Sequence, residues 1–132
     1  MKPEPKLIES ALVLLQNPQT NQGLVKANKI LNKYKGYVAS FGGTVVQMGI
    51  MPACMAFCVD DNKKKVAALM FGIYQHRYTT NYEKGLDSYL SDHWTNWPEG
   101  EKKTFRSRMT RVAVSLKLAM RTYEFDESES MD

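Results

Sequence analysis

The sequence predicts an all-α protein, a compact single-domain bundle of five to seven helices. Three observations carry that prediction. Apolar residues recur at helical spacing along most of the chain. No run of alternating apolar and polar residues is long enough to specify a strand. A chain of 132 residues, 43% hydrophobic and 24% charged, has ordinary single-domain composition and needs no disulfide or metal staple.

Taken in order, the first helix is expected over Lys6–Leu15. Pro3 and Pro5 precede it, and Asn17-Pro18 ends it, because the residue before proline disfavours helical geometry. The second is expected to begin at Leu24. Leu24, Ala27, Leu31, Tyr34, Val38, Phe41, Val45 and Met48 follow at steps of 3, 4, 3, 4, 3, 4 and 3, a seam that packs helix on helix. Gly36, Gly42 and Gly43 lie within it, each costing roughly 0.5–1 kcal/mol relative to alanine. Close approach of another backbone is the expected compensation. Gly49 suits a helix C-terminus and Pro52 the first turn of a short apolar helix ending at Val59. Asp60-Asp61-Asn62 caps a fourth helix over Lys63–Tyr78. Residues 79–100 are irregular, with a short helix expected around Lys84–Leu90. A long last helix over Glu101–Phe125 carries Phe105, Met109, Val112, Leu116, Met120 and Tyr123 on one face. Residues 1–123 form the domain; 124–132 are an acidic tail expected to be disordered.

Catalytic chemistry is not specified. His76 and His93 have no acid–base partner in the sequence and suit structural roles. Asp60 and Asp61 are better explained as a helix cap than as metal ligands. Cys54 and Cys58 share a helical face without a histidine or cysteine nearby, which argues against zinc. They suit small buried hydrophobes beside Met48, Met51 and Met55. There is no phosphate-cradling GxxxxGK and no dinucleotide fingerprint. No catalytic residue, metal or cofactor is expected. The longest apolar run is far short of the about 20 residues of a spanning helix, and the N-terminus lacks a signal-peptide pattern; a cytoplasmic protein without membrane contact is expected.

What remains is cationic. The net charge is +4, but the last nine residues hold five acids and no base; without those five, 18 bases face 9 acids. A basic body of this kind suits a polyanion. Lys26, Lys29 and Lys33 form a row beside the apolar seam of the second helix and lead into Gly36, Ser40 and Gly43. Lys103, Arg106, Lys117 and Arg121 lie within about 60° of one another on the last helix, with Arg108 and Arg111 on its other flank. Lys63 and Lys64, with Lys65, crowd a helix start where cations oppose the dipole and an outside anion would relieve them. Arginine forks bind phosphates bidentately, and Trp94, Trp97 and several tyrosines offer stacking surfaces. Basic rows without a base-reading motif point to sequence-independent contact with a nucleic-acid backbone.

Three stretches resemble a known family. They are Tyr34-Lys35-Gly36-Tyr37-Val38 running into Ser40-Phe41-Gly42; Val46-Gln47-Met48-Gly49-Ile50-Met51-Pro52-Ala53-Cys54-Met55-Ala56-Phe57; and the last helix ending in Met120-Arg121-Thr122-Tyr123. In these the chain resembles the small helical subunit of the type III-B CRISPR RNA-silencing (Cmr) effector complex. The resemblance implies an all-α protein that stacks in several copies along a ribonucleoprotein filament. Its partners would be the other Cmr subunits, copies of itself, and the backbones of target RNA and guide RNA. It implies antiviral defence without a nuclease of its own. The alternatives are the small subunit of the related type III-A complex, a helical protein-interaction adaptor without nucleic-acid binding, and a small nuclease using His76 or His93.

Overall fold

The computed structural model describes residues 4–126. Pro5 opens helix α1 (Pro5–Gln16) at a position where its missing N–H is not needed. The helix ends at Asn17, before Pro18. Two side chains then satisfy carbonyls left open at its C-terminus: the Thr20 hydroxyl donates to Leu14 O at 2.8 Å, and Asn21 Nδ2 to Leu15 O at 3.2 Å.

The expected start of the second helix is corrected here. Residues 25–31 form a small hairpin, β1 (Val25–Lys26) and β2 (Lys29–Leu31), instead of two helical turns. Ala27 and Asn28 both take positive φ, 51° and 61°, as a two-residue hairpin turn of type I′ demands. The hairpin buries Leu24 and Ile30, whereas a helical seam would have buried Ala27. A three-residue strand is too short to show a period, so Leu24, Ala27 and Leu31 fit a helix equally well on paper.

Helix α2 (Asn32–Met48) then runs with Tyr34, Val38, Phe41 and Val45 buried, as expected. Gly49, at φ 89°, closes it by donating its N–H to Val45 O at 2.8 Å. Helix α3 (Ile50–Val59) follows at once. Asp60 prepares the next helix: its Oδ1 accepts the backbone N–H groups of Asn62 and Lys63, both at 2.9 Å, which hold its carboxyl below the usual range. Helix α4 (Lys63–Tyr78) has the predicted bounds.

Rings order the irregular stretch. Helix α5 (Leu86–His93) and a 3-10 turn (Trp94–Asn96) set Tyr89 against Phe71, Tyr74 and Phe105, and Trp97 against Phe105, with His93 between Tyr89 and Trp97; Tyr89 stands 5.1 Å from Phe71. Helix α6 (Glu99–Met120) starts two residues earlier and ends five earlier than expected. The chain then forms β3 (Glu124–Asp126), parallel to β2 with Ile30 opposite Phe125. The acidic segment therefore begins as a strand; residues 127–132 lie outside the described residues. The sheet order is β1-β2-β3, a minor addition to an all-α fold of six helices among the described residues. Helix α6 packs on α1, α2 and α4, and the core runs between them.

The close approach expected at Gly36, Gly42 and Gly43 is not within the chain. A Cβ at any of the three meets nothing within 4 Å. The tight glycine is Gly72, where a Cβ would stand 2.8 Å from Leu14 Cδ2, so α1 and α4 meet there.

Candidate nucleic-acid interface

The hairpin brings lysines together in a way the helical row did not foresee. Lys26 and Lys29 are directly paired across β1 and β2, and Lys33 lies in the first turn of α2. These three line a cleft of about 280 Å³ with Leu24, Tyr34, Asn62, Lys65 and Asp126. Four lysines from the hairpin and two helix starts thus converge on one concavity. Lys26, Lys29 and Lys65 are exposed; Lys33 is half-buried, its Nζ 5.4 Å from the Tyr34 ring centre. Cations gathered in one cleft repel one another, so an anion entering beside Lys26, Lys29 and Lys65 relieves that repulsion.

From the three-lysine run, the structure selects a different member than the sequence favoured. Lys63 precedes the buried Val66 and Ala67 by three and four residues, so helical phasing carries it inward. Its Nζ sits over Phe57 at 5.3 Å and Tyr37 at 5.7 Å. Lys64 pairs with Asp61 at 3.3 Å. Lys65 is the one that reaches the cleft. The same phasing was available in the sequence.

The predicted α6 row divides. Lys103 and Arg106 line two adjoining grooves. One runs past Gly42, Val45 and Val46 of α2, the other past Met51 and Pro52 of α3 and Trp94. Trp94, partly exposed and with Lys102 Nζ 5.0 Å from its ring, is an aromatic face beside two cations. Lys117, and Arg121 just past the end of α6, continue on the same side, but about 16 Å or more beyond Arg106 at 1.5 Å per residue. Arg108 and Arg111 belong elsewhere. Arg108 covers the Tyr78 ring at 4.2 Å, Arg77 covers it at 5.2 Å, and Arg111 is close enough to act on Tyr78 electrostatically. Arg77 also holds Glu4 at 2.7 Å and so ties the residue before α1 to α4.

Helix α2 connects the cleft to the grooves. Lys33 sits at one end, and Val45, about 18 Å along the axis, borders Lys103 and Arg106. Between them the outward face carries Gly36, Ala39, Ser40 and Gly43, all exposed, and then Val46, which is 77% exposed. Replacing Gly36 or Gly43 with leucine should leave the fold intact and raise its stability by about 0.5–1 kcal/mol, because the new side chain enters open space and helix propensity improves. Thermal melts check this, and a lowered midpoint would show that the face is not free. A loss of assembly in the same variants would identify the face as a contact.

The other chemically capable groups are accounted for structurally. His76 Nδ1 bonds Ser10 Oγ at 2.8 Å, and His93 stacks on Trp97 with ring planes 9° apart. Asp60 caps α4, and no group of three or more His, Cys, Asp or Glu among the described residues could hold a metal ion. Burial pushes both thiols up, Cys58 to about 11 with the Asp87 charge adding to the effect. Cys58 should therefore alkylate at neutral pH about tenfold more slowly than an ordinary surface thiol, because its thiolate is scarce though the stronger nucleophile; rapid iodoacetamide labelling would contradict that environment. No helix among the described residues is long and apolar enough to cross a membrane. No protein-family profile, no curated protein and no solved structure matches the chain.

Proposed function

We propose that this protein is a non-catalytic, RNA-backbone-binding small subunit of a cytoplasmic type III-B CRISPR (Cmr) ribonucleoprotein, stacking with copies of itself along the filament. The observation that carries the RNA contact is the convergence of Lys26, Lys29, Lys33 and Lys65 on one cleft. From there the small-residue face of α2 leads to Lys103, Arg106 and the Trp94 ring. Ammonium groups bind phosphate as point charges and read no base, so the contact is sequence-independent. The resemblance of residues 34–42, residues 46–57 and the last helix to the Cmr small subunit supplies the biological setting. The exposed Val46 and Met48, 77% and 50% accessible, favour a second reading, a protein-docking adaptor whose charge is incidental.

Binding of two unrelated single-stranded RNAs across a salt series separates the two. The RNA reading expects equal affinity for both and a fall with salt of about −0.7 in log–log slope per phosphate contact. It also expects weak binding by one chain and tighter binding by the assembled filament, with neither RNA cleaved, with or without divalent metal. The adaptor expects partner binding that ignores salt and no RNA retention. Cleavage lost in a His76→Ala or His93→Ala variant would overturn both.

A further inference from the structure

The four-lysine cleft has an acid at its rim. Asp126, in β3, lines the same cavity as Lys26, Lys29, Lys33 and Lys65. Its position is set by the backbone. Strand β3 runs parallel to β2, with Lys29 opposite Glu124 and Leu31 opposite Asp126. Lys35 Nζ, 4.9 Å from the Phe125 ring, adds a cation–π contact to the same strand. The chain thus reaches the cleft at Asp126. Six residues follow, Glu127, Ser128, Glu129, Ser130, Met131 and Asp132, with three acids and no base.

We propose that this C-terminal segment, residues 127–132, docks back into the lysine cleft as a tethered polyanion and competes with RNA for it. Charge complementarity selects the occupant. The cleft presents four cations, and the tail that begins at its edge supplies three carboxylates beyond Asp126. Reach is ample: six extended residues span about 20 Å. Tethering matters more than intrinsic affinity, because a short linker holds its end at an effective concentration of order millimolar. Carboxylates and phosphates satisfy the same ammonium groups, so the two occupants exclude each other. An RNA strand must displace the tail. Competition sharpens discrimination against short or isolated anions and favours long strands bound by several stacked copies. The consequence for RNA rests on the function proposed above; the docking itself does not.

The experiment compares the full chain with a tail variant, Glu127→Gln, Glu129→Gln and Asp132→Asn. A control variant, Glu9→Gln, Asp92→Asn and Glu101→Gln, changes net charge equally at exposed sites that do not line the cleft. The first readout needs no RNA: acylation rates of individual lysines by an amine-reactive ester, followed by mass spectrometry. Lys26, Lys29 and Lys65 should react severalfold faster in the tail variant than in the parent or control, while Lys84 stays unchanged. Equal rates would overturn the docking. The second readout is affinity for a single-stranded oligouridylate at low salt, expected to rise about three- to tenfold in the tail variant alone. Freed lysines with unchanged, measurable RNA binding would overturn the competition. Freed lysines with no RNA binding by any variant would leave the docking standing and remove the RNA reading instead.

Discussion

Reversing Lys29 and Lys65 together, Lys29→Glu with Lys65→Glu, is expected to weaken single-stranded RNA binding about tenfold to a hundredfold at 0.1 M salt. One exposed charge contact contributes about 0.2–1 kcal/mol. Reversal removes an attraction and installs a repulsion of similar size, at two positions, and tenfold corresponds to about 1.4 kcal/mol. The log–log salt slope should flatten by about 1.4, two contacts at about 0.7 each. Both residues are exposed, one on the hairpin and one in the first turn of α4, so neither supports the core. That first turn carries no acid, and a glutamate at 65 suits the positive end of the helix dipole. Stability should therefore hold or rise slightly, which separates lost binding from lost folding. Lys103→Glu with Arg106→Glu should give a smaller loss if the two regions act in parallel along one strand. Loss alike for unrelated RNA sequences is required; loss for one sequence alone would mean base recognition. Unchanged affinity and slope in both double variants would sink the RNA path and leave the adaptor.

Much of the scaffold was readable before any coordinates, and the failures have physical causes. Helices α3 and α4 were placed by Gly49, Pro52 and Asp60, residues whose backbone preferences act within a turn of where they stand. Long apolar faces specified α2 and α6 because each buries four or more positions at one period. The hairpin escaped because its turn is Ala27-Asn28. Alanine at positive φ is disfavoured by roughly 1–2 kcal/mol, so nothing local announces the turn. Burial of Leu24 and Ile30 and pairing with β3 override that preference, and the partner strand lies more than ninety residues away. Short strands are specified by their partners, and partners are not local. Lysines 26, 29 and 33 were grouped correctly for a wrong reason: a helical row was expected, and a cross-strand pair beside a helix start delivers them. Asp126 in the same cleft could not have been foreseen, since its place depends on that parallel pairing. Gly72 was overlooked because a single glycine in a helix says nothing of which neighbour it admits; Leu14 is that neighbour.

Phe41→Ala is expected to be the most destabilising of the substitutions considered, by about 3–5 kcal/mol. Phe41 is fully buried near the middle of α2 and meets the equally buried Phe57 of α3 edge to face, centroids 5.2 Å apart with planes at 81°. Truncation removes the buried ring and the aromatic pair and leaves a cavity between two helices joined by the single residue Gly49. Domains of this size are stable by about 5–15 kcal/mol in total, so the loss is a large share of the whole. The melting midpoint should fall by roughly 10–20 °C. Phe41→Leu keeps most of the volume and should cost clearly less, about 1–2 kcal/mol, which tests whether volume or ring geometry dominates. The functional consequence follows from where α2 lies. It carries Lys33 at one end and borders Lys103 and Arg106 toward the other. A loosened α2 should therefore weaken RNA binding with no charge altered, and the salt slope should stay near the parent value because the number of phosphate contacts is unchanged. Lys29→Glu with Lys65→Glu shows the converse, a flattened slope on an intact fold. Chemical denaturation and RNA titration of the same two variants, below the melting range of both, separate the roles of scaffold and charge. A stability loss below about 1 kcal/mol for Phe41→Ala would mean that the α2–α3 contact is not the centre of this core.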